Sequence, residues 1–317
     1  LTNELDKYTE MLKESKNIHK WIDLDKTNTE LSVKMIEDHE IDILIDMIGM
    51  TSPFGIEILS YKPAPIIVSY FAYPGPSVIS SVDYKIVDKH SCPVDLSQYG
   101  EKMAIIDGCF QCYSIMNGNN VNTDKTKSDI IRFGSFNNTM KIQEDVIETW
   151  SKILIQVPNS TLTLRYVFMG CSLLRESIYC NFRKHGIDKD RIIIKWEGFD
   201  IFEYYKSIDI ALDPFPYQGG ITTSEVFYSN TPCVILEGRD NQSRVGVSLA
   251  MNVGHPELIT NTKEKYIDLA VSLANSDLSV YSDLQTKMRN CSMSNPDIFV
   301  ANLNKLYYNL WNKYIHE

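Results

Sequence analysis

"ALDPFPYQGGITTSEVFYSNTPCVILEG", residues 211–238, decides the fold of this chain. A short apolar strand ends at Asp213, Pro214 and Pro216 forbid its continuation, and Gly219 and Gly220 permit positive φ and close approach of a ligand to the main chain. "ITTSEVFY" then opens a helix, and "PCVILEG" reads as the next apolar strand. Strand, loop, helix and strand in this order form the unit of a parallel sheet covered on both faces.

Working outward, the same alternation recurs on both sides. Downstream of residue 130 it predicts strands in "IIRFGSF" (130–136), "STLTLRYV" (160–167) and "RIIIKW" (191–196), separated by helices in "QEDVIETWSKILIQV" (143–157), "LLRESIYCNFRKHG" (173–186) and "FEYYKSI" (202–208). Upstream it predicts strands in "IHKWIDL" (18–24), "IDILIDMIG" (41–49), "PIIVSYFAY" (65–73) and "DYKIVD" (83–88), with helices in "NTELSVKMIEDHE" (28–40) and "FGIEILSYK" (54–62). The polar, aperiodic stretch between the two series reads as a linker. The expected organisation is a first α/β domain over residues 1–115, a linker over 116–129, and a second α/β domain over 130–317 that ends in a long helix, "NPDIFVANLNKLYYNLWNKYIHE". Two such Rossmann-like halves place a cleft between the carboxyl ends of their sheets.

Composition narrows the function. The 317 residues are 44% hydrophobic and 23% charged, which suits a globular chain, and the net charge of -10 argues against nucleic acid as a partner. No apolar run reaches the roughly 20 residues that cross a bilayer, and the polar start is unlike a signal peptide, so no membrane partner is expected and the chain reads as cytosolic. Seven scattered cysteines read as reduced core thiols, and Cys109 and Cys112 in "GCFQCY" lack a second pair to complete a zinc site. No metal or cofactor is expected. None of the six histidines falls in a recognisable nucleophile arrangement.

Three loops can carry chemistry. The first turn of the helix after Gly219-Gly220 holds Thr222, Thr223 and Ser224, and a helix start with unpaired N–H groups and flanking hydroxyls suits a diphosphate. Glu225 is placed to accept hydrogen bonds from vicinal ribose hydroxyls. A capped helix after a tight turn, with Glu225 an ordinary first-turn acid, explains the same residues equally well. The second loop, "NNTMK" (137–141), adds the Asn137 and Asn138 amides and the Lys141 cation; its bland reading is a solvated surface lysine. If both loops face one cleft, they grip one diphosphate from two sides, as sugar transfer from a nucleotide sugar demands. The third loop, "LEGRDNQSRVGVS" (236–248), carries Arg239 and Arg244, of which Arg244, opening a helix, is the better anion ligand. In the first domain, "DMIGMTSPFG" and "YFAYPGPS" follow strands, so Gly49, Met50, Thr51, Tyr73, Pro74 and Gly75 are expected on the opposing rim, where an acceptor would sit.

The stretches 133–164, 209–238 and 60–88 together resemble the catalytic region of the O-GlcNAc transferase/SPINDLY family, in the same order and spacing. The resemblance runs from about residue 30 to the end, and "CFQCY" has a counterpart in SPINDLY-like sequences. It implies a GT-B fold, α/β with two Rossmann-like domains, and an inverting, metal-independent transfer of a sugar from a nucleotide sugar to a protein Ser or Thr hydroxyl. UDP-GlcNAc ranks first as donor. By motif, Lys141 matches the family's diphosphate-stabilising lysine, Asn138 its polar phosphate contact, Thr222 and Thr223 its phosphate-binding threonine region, and Glu225 the acid that holds the ribose. Departures accompany the match. Gly220 and Met50 stand where relatives carry histidine, the segment before "DIALD" has none, and the first strands of the family's N-terminal domain and its upstream TPR repeats have no counterpart. The general base is therefore not assigned. A fucosyl- or glucosyltransferase of the same family, or a catalytically degenerate nucleotide- or peptide-binding module, fits the same pattern; a nucleotide-sugar epimerase or hydrolase would need acid/base groups that are not evident.

Overall fold

A computed structural model describes residues 7–71, 73–114, 123–126, 128–198 and 200–317. Helices α1 (Lys7–Lys13) and α2 (Thr29–Glu37) precede strand β1 (Ile43–Asp46), helix α3 (Pro53–Ser60) and strands β2 (Ile66–Ser69), β3 (Tyr84–Asp88) and β4 (Lys102–Ile106). These strands form a four-stranded parallel sheet in sequential order. The strand expected over 18–24 does not form, because its apolar residues are too sparse to fill both faces of a buried sheet. Trp21 there is exposed and donates to Asp23. β4 forms in "EKMAII", a stretch without the continuous apolar run of a buried strand, whose alternating burial reflects its place at the sheet edge.

The second half runs β5 (Ile131–Ser135), α4 (Glu144–Gln156), β6 (Ser160–Arg165), α5 (Ser172–Lys184), β7 (Ile192–Lys195), α6 (Ile201–Tyr205), β8 (Ile210–Leu212), α7 (Ile221–Tyr228), β9 (Cys233–Leu236), α8 (Val245–Asn252), β10 (Ile259–Thr260), α9 (Lys263–Ala274), α10 (Leu284–Arg289) and α11 (Pro296–His316). Its six parallel strands are ordered β10-β9-β8-β5-β6-β7. The chain therefore starts at β5, winds outward through β6 and β7, then returns to lay β8 against the other side of β5, pairing Phe133 with Ile210 and Gly134 with Ala211. Order reverses between β5 and β8, and open α/β sheets bind ligands at the carboxyl ends of such a pair. The two sequence loops that carry Lys141 and Thr222 follow these two strands.

One continuous core joins the halves, from Ile66, Val68, Ile86 and Ile106 to Phe133, Trp150, Leu164 and Phe227. A polar seam accompanies it. Asp88 at the end of β3 is fully buried and accepts from the Phe110 N–H at 2.8 Å and from the Ser248 hydroxyl of α8, while Asn241 donates to the Ser91 carbonyl at 2.8 Å and Val94 N–H to the Arg239 carbonyl at 2.7 Å. Helix α11, expected within the second domain, crosses back onto the first sheet. It contacts β4, and its Asn302 donates to the Asp107 carbonyl at 2.9 Å while Lys305 pairs with the Asp107 carboxylate at 2.8 Å. The sequence period marks a buried face but not which sheet receives it.

Residues 116–122 and 127 of the expected linker, and residue 115 before it, lie outside the described residues. Its described part is fastened to the second domain: Lys125 donates to the Tyr205 carbonyl at 2.9 Å and to Thr231, and burial lowers its pKa to about 8. None of the described helices is long and apolar enough to cross a membrane.

Candidate functional site

The loop after β5 folds into a 3-10 turn over Thr139–Lys141, which Asn138 starts by accepting the Met140 N–H at 3.0 Å. This turn swings Lys141 toward the neighbouring loop after β8. Its ammonium donates to the Gln218 carbonyl at 2.8 Å, reaches Asn137 Oδ1 at 3.4 Å, and lies 4.5 Å over the Tyr217 ring. Gln218 is itself immobilised: its N–H donates to the Gln242 carbonyl at 3.0 Å, its amide donates to the Leu236 carbonyl at 2.6 Å, and its Oε1 accepts the Gly246 N–H at 2.7 Å. Burial lowers the Lys141 pKa, opposed by the charge of Asp213. Lys141 is thus no solvated surface lysine.

Asp213 supplies the floor. It is 2% exposed, and its Oδ1 accepts the Gly219 N–H at 2.9 Å and the Thr223 hydroxyl at 3.4 Å. Gly219 is needed because a Cβ there would sit 2.5 Å from Thr223 Oγ1 and 3.0 Å from Asp213 Oδ1. Gly220 is less confined: a Cβ would press on Gln111 Oε1 at 3.2 Å, the end of a side chain, and meet Val245 at 3.7 Å. Burial raises the Asp213 carboxyl to about 7, against the pull of the Gly219 N–H and the Lys141 charge.

Helix α7 begins here. Its Gly220 carbonyl accepts from Ser224, and Ser224 Oγ in turn accepts from the amide of Gln111 at 2.8 Å, so the "CFQCY" segment of the first half braces the helix start. Cys109 in that segment is buried, beside Ser248, with its thiol pKa raised by burial. Thr223 is 1% exposed and faces Asp213, leaving the half-buried Thr222 as the threonine nearer the surface. Glu225 accepts from the Tyr205 hydroxyl at 3.1 Å, a group that also reaches the Thr222 carbonyl at 3.2 Å, and burial raises Glu225 to about 7 while Tyr205 and the charge of Arg165 oppose the rise.

Asn137, Asn138, Lys141, Gly219, Gly220, Thr222, Thr223 and Glu225 are therefore gathered at the β5–β8 switch. Arg244 is placed differently, in the interdomain seam, where its Nε donates to the His90 carbonyl at 3.0 Å and its fork reaches the Gly238 carbonyl at 3.1 Å and Glu237 at 3.4 Å. Asp213, Tyr205, Tyr217, Gln218 and Gln111 were not singled out as site residues from sequence. Asp213 carried a signal, as the only acid closing an apolar strand at the loop; the others owe their place to tertiary contacts.

Across the cleft, Gly49, Met50 and Thr51 form a 3-10 turn after β1, with Asp46 accepting the Gly49 N–H. Gly49 has φ +59°, and Tyr73 packs onto it so closely that a Cβ would lie 2.4 Å from Tyr73 Cβ; Gly75 borders the far side of the same ring. Pro74 lies between them. The Tyr73 carbonyl accepts from the buried ammonium of Lys85 at 2.7 Å, and burial lowers Lys85 to about 8 despite the charges of Glu101 and Asp46. Burial raises the Tyr217 phenol, and the charge of Tyr73 across from it acts in the same direction.

Comparison with known proteins agrees with this architecture. The profile of glycosyl transferase family 41 matches residues 5–117 and 119–303. The probable UDP-N-acetylglucosamine–peptide N-acetylglucosaminyltransferase SPINDLY of Arabidopsis thaliana is 32% identical over 305 residues, covering 93% of this chain and 33% of that protein. The probable enzyme SEC of the same plant is 28% identical over 92% of this chain and 31% of its own length. The chain thus spans about a third of the length of these curated relatives. Among solved structures, a mutant O-GlcNAc transferase of Thermobaculum terrenum superposes with a TM-score of 0.89 at 26% identity, covering 98% of this chain and 60% of that one. A glycosyltransferase of Rickettsia africae shares the fold at a TM-score of 0.58 and 14% identity. The two parallel sheets are those of a GT-B glycosyltransferase, and the chain belongs to glycosyl transferase family 41.

Proposed function

We propose that this chain carries the donor site of an inverting glycosyltransferase that moves GlcNAc from UDP-GlcNAc to a Ser or Thr hydroxyl of a protein acceptor. The observation that carries the reading is the stitching of the β5 loop to the β8 loop by Lys141, which brings one ammonium beside the glycine loop that opens α7. Sugar transfer breaks the bond between the anomeric carbon and the diphosphate oxygen, and negative charge grows on that oxygen. A preorganised cation and aligned N–H dipoles stabilise this charge. They do so without a divalent metal. Glu225, already bonded to one hydroxyl, is suited to accept from the ribose. The acceptor would approach from the rim of Met50 and Tyr73, opposite Tyr217.

A donor panel tests this. UDP-GlcNAc, GDP-fucose and UDP-glucose are each supplied in radiolabelled form with a protein acceptor and EDTA. Labelling from UDP-GlcNAc alone is expected; labelling from another donor reassigns the sugar. Tight nucleotide binding with no turnover from any donor would make this a binding module, a reading favoured by Met50 on the acceptor rim, whose thioether cannot take a proton from the acceptor hydroxyl.

A further inference from the structure

Asp213 is buried at the centre of the cradle with only half of its carboxylate satisfied. Oδ1 accepts from the Gly219 N–H and Thr223, and the Asn137 side chain lies alongside the same glycine. Oδ2 has no partner among the described residues. It faces the start of α8, where a Cβ on Gly246 would sit 2.9 Å from Oδ2 and 3.2 Å from Gln218 Oε1. An acceptor oxygen and bare backbone surround it on that side. Such an environment suits an O–H better than a charge, because a buried anionic oxygen without a donor is costly.

The groups around this carboxyl are few. Lys141 comes from the turn after β5, the Thr223 hydroxyl from α7, the Cys233 thiol from β9, and the Tyr266 phenol from α9, which donates to the Asp213 backbone carbonyl at 2.9 Å. Lys141 is the one cation among them, and its charge favours the ionised carboxylate. A second anion arriving at Lys141 must compete for that charge in a poorly solvated site, where two negative groups cannot both remain ionised at low cost.

Resting on the donor reading above, we propose that Asp213 is a positioning residue that acts as the counter-ion of Lys141 in the empty cradle and takes up one proton from solvent when the donor diphosphate binds. The bond formed is O–H at Oδ2, on the side of the carboxyl that faces the start of α8, and the bond broken is the O–H or N–H of the buffer acid that supplies the proton. Asp213 thereby keeps Gly219 and Thr223 in place without ligand and, once protonated, leaves the Lys141 charge to the diphosphate.

Titration calorimetry with UDP-GlcNAc at pH 7.5, in phosphate and in Tris, reads this directly. The esterified diphosphate has no proton of its own to exchange near neutrality. The apparent enthalpy should differ between the buffers by the difference in their ionisation enthalpies multiplied by roughly 0.75 proton per site, the share of a carboxyl raised to about 7 that is still ionised at this pH. Wild-type affinity should fall several-fold between pH 6.5 and 8.5, with Asp213→Asn removing both the uptake and the slope. Buffer-independent enthalpy in the wild type, or uptake that survives in Asp213→Asn, overturns the proposal and spares the donor reading. Absence of donor binding in every buffer overturns the donor reading itself. The wild-type comparison decides the matter even where the variant does not fold.

Discussion

The Lys141 ammonium donates to the Gln218 carbonyl at 2.8 Å, joining the loop after β5 to the loop after β8. The bond fixes the cation where the two strands diverge, but a neutral carbonyl consumes little of its charge. Lys141→Ala should weaken UDP-GlcNAc binding at least about tenfold and lower turnover by roughly 100-fold, the scale of removing one preorganised stabiliser of a leaving anion. Lys141→Arg should recover part of the binding and little of the turnover, because a planar fork cannot reproduce a point charge over the Tyr217 ring. Calorimetry and a steady-state transfer assay separate the two effects; unchanged affinity in Lys141→Ala would remove the lysine from the site.

The two adjacent glycines should respond unequally. A methyl on Gly219 collides with Thr223 Oγ1 at 2.5 Å and crowds both Asp213 and Asn137, so Gly219→Ala should displace the floor of the cradle and reduce donor affinity tenfold or more. A methyl on Gly220 presses at 3.2 Å on Gln111 Oε1, the end of a side chain that can shift by a few tenths of an ångström. Gly220→Ala should bind donor within about threefold of wild type, or within about 0.7 kcal/mol. Equal losses in the two variants would contradict the geometry.

The unliganded protein should show the Asp213 carboxyl in its stability. Its folded-state pKa is raised to about 7 by burial, whereas the unfolded chain titrates in the ordinary carboxylate range. Below that range both states are protonated and no penalty exists. As pH rises toward 7 the unfolded chain ionises first, so stability is lost across that interval and the loss is complete once the folded group ionises too. Asp213→Asn retains an oxygen for the Gly219 N–H and cannot ionise. Its stability relative to wild type should therefore increase from pH 5 to pH 8 by on the order of a few kcal/mol. Denaturant titration at the two pH values measures the difference; a constant offset would mean that Asp213 titrates normally.

The sequence revealed the second domain better than the first, for a physical reason. Strands such as "IAL" and "CVIL" are buried on both faces and read as continuous apolar runs, and Pro214, Gly219 and Gly220 mark the loop without tertiary help. "EKMAII" alternates because it lies at a sheet edge, and "IHKWIDL" holds apolar residues that pack nothing in common. The positions of Lys141 and Glu225 beside the switch point were legible because each follows a strand end there. Tyr205 and Gln218 were not, since a phenol on α6 and a backbone carbonyl become site groups only when β8 is laid beside β5.

Arg244 shows the same limit from the other direction. An arginine opening a helix beside a glycine-rich loop suggests an anion ligand, yet its guanidinium is held by the His90 carbonyl of the first half and by Gly238 and Glu237 of the second. The side chain is 15% exposed, so losing it leaves the His90 carbonyl without its donor near the buried Asp88–Ser248 contact. Arg244→Ala should lower stability by about 1–3 kcal/mol, the range for removing one partner of a charge-assisted buried bond. Donor affinity should change less than about threefold at a temperature where the variant remains folded. Arg244→Lys should recover little stability, because one ammonium cannot reach three oxygens set for a planar fork. A large loss of affinity with unchanged stability would return Arg244 to the diphosphate cradle and make the seam depend on Asp88, Asn241 and Ser248 alone.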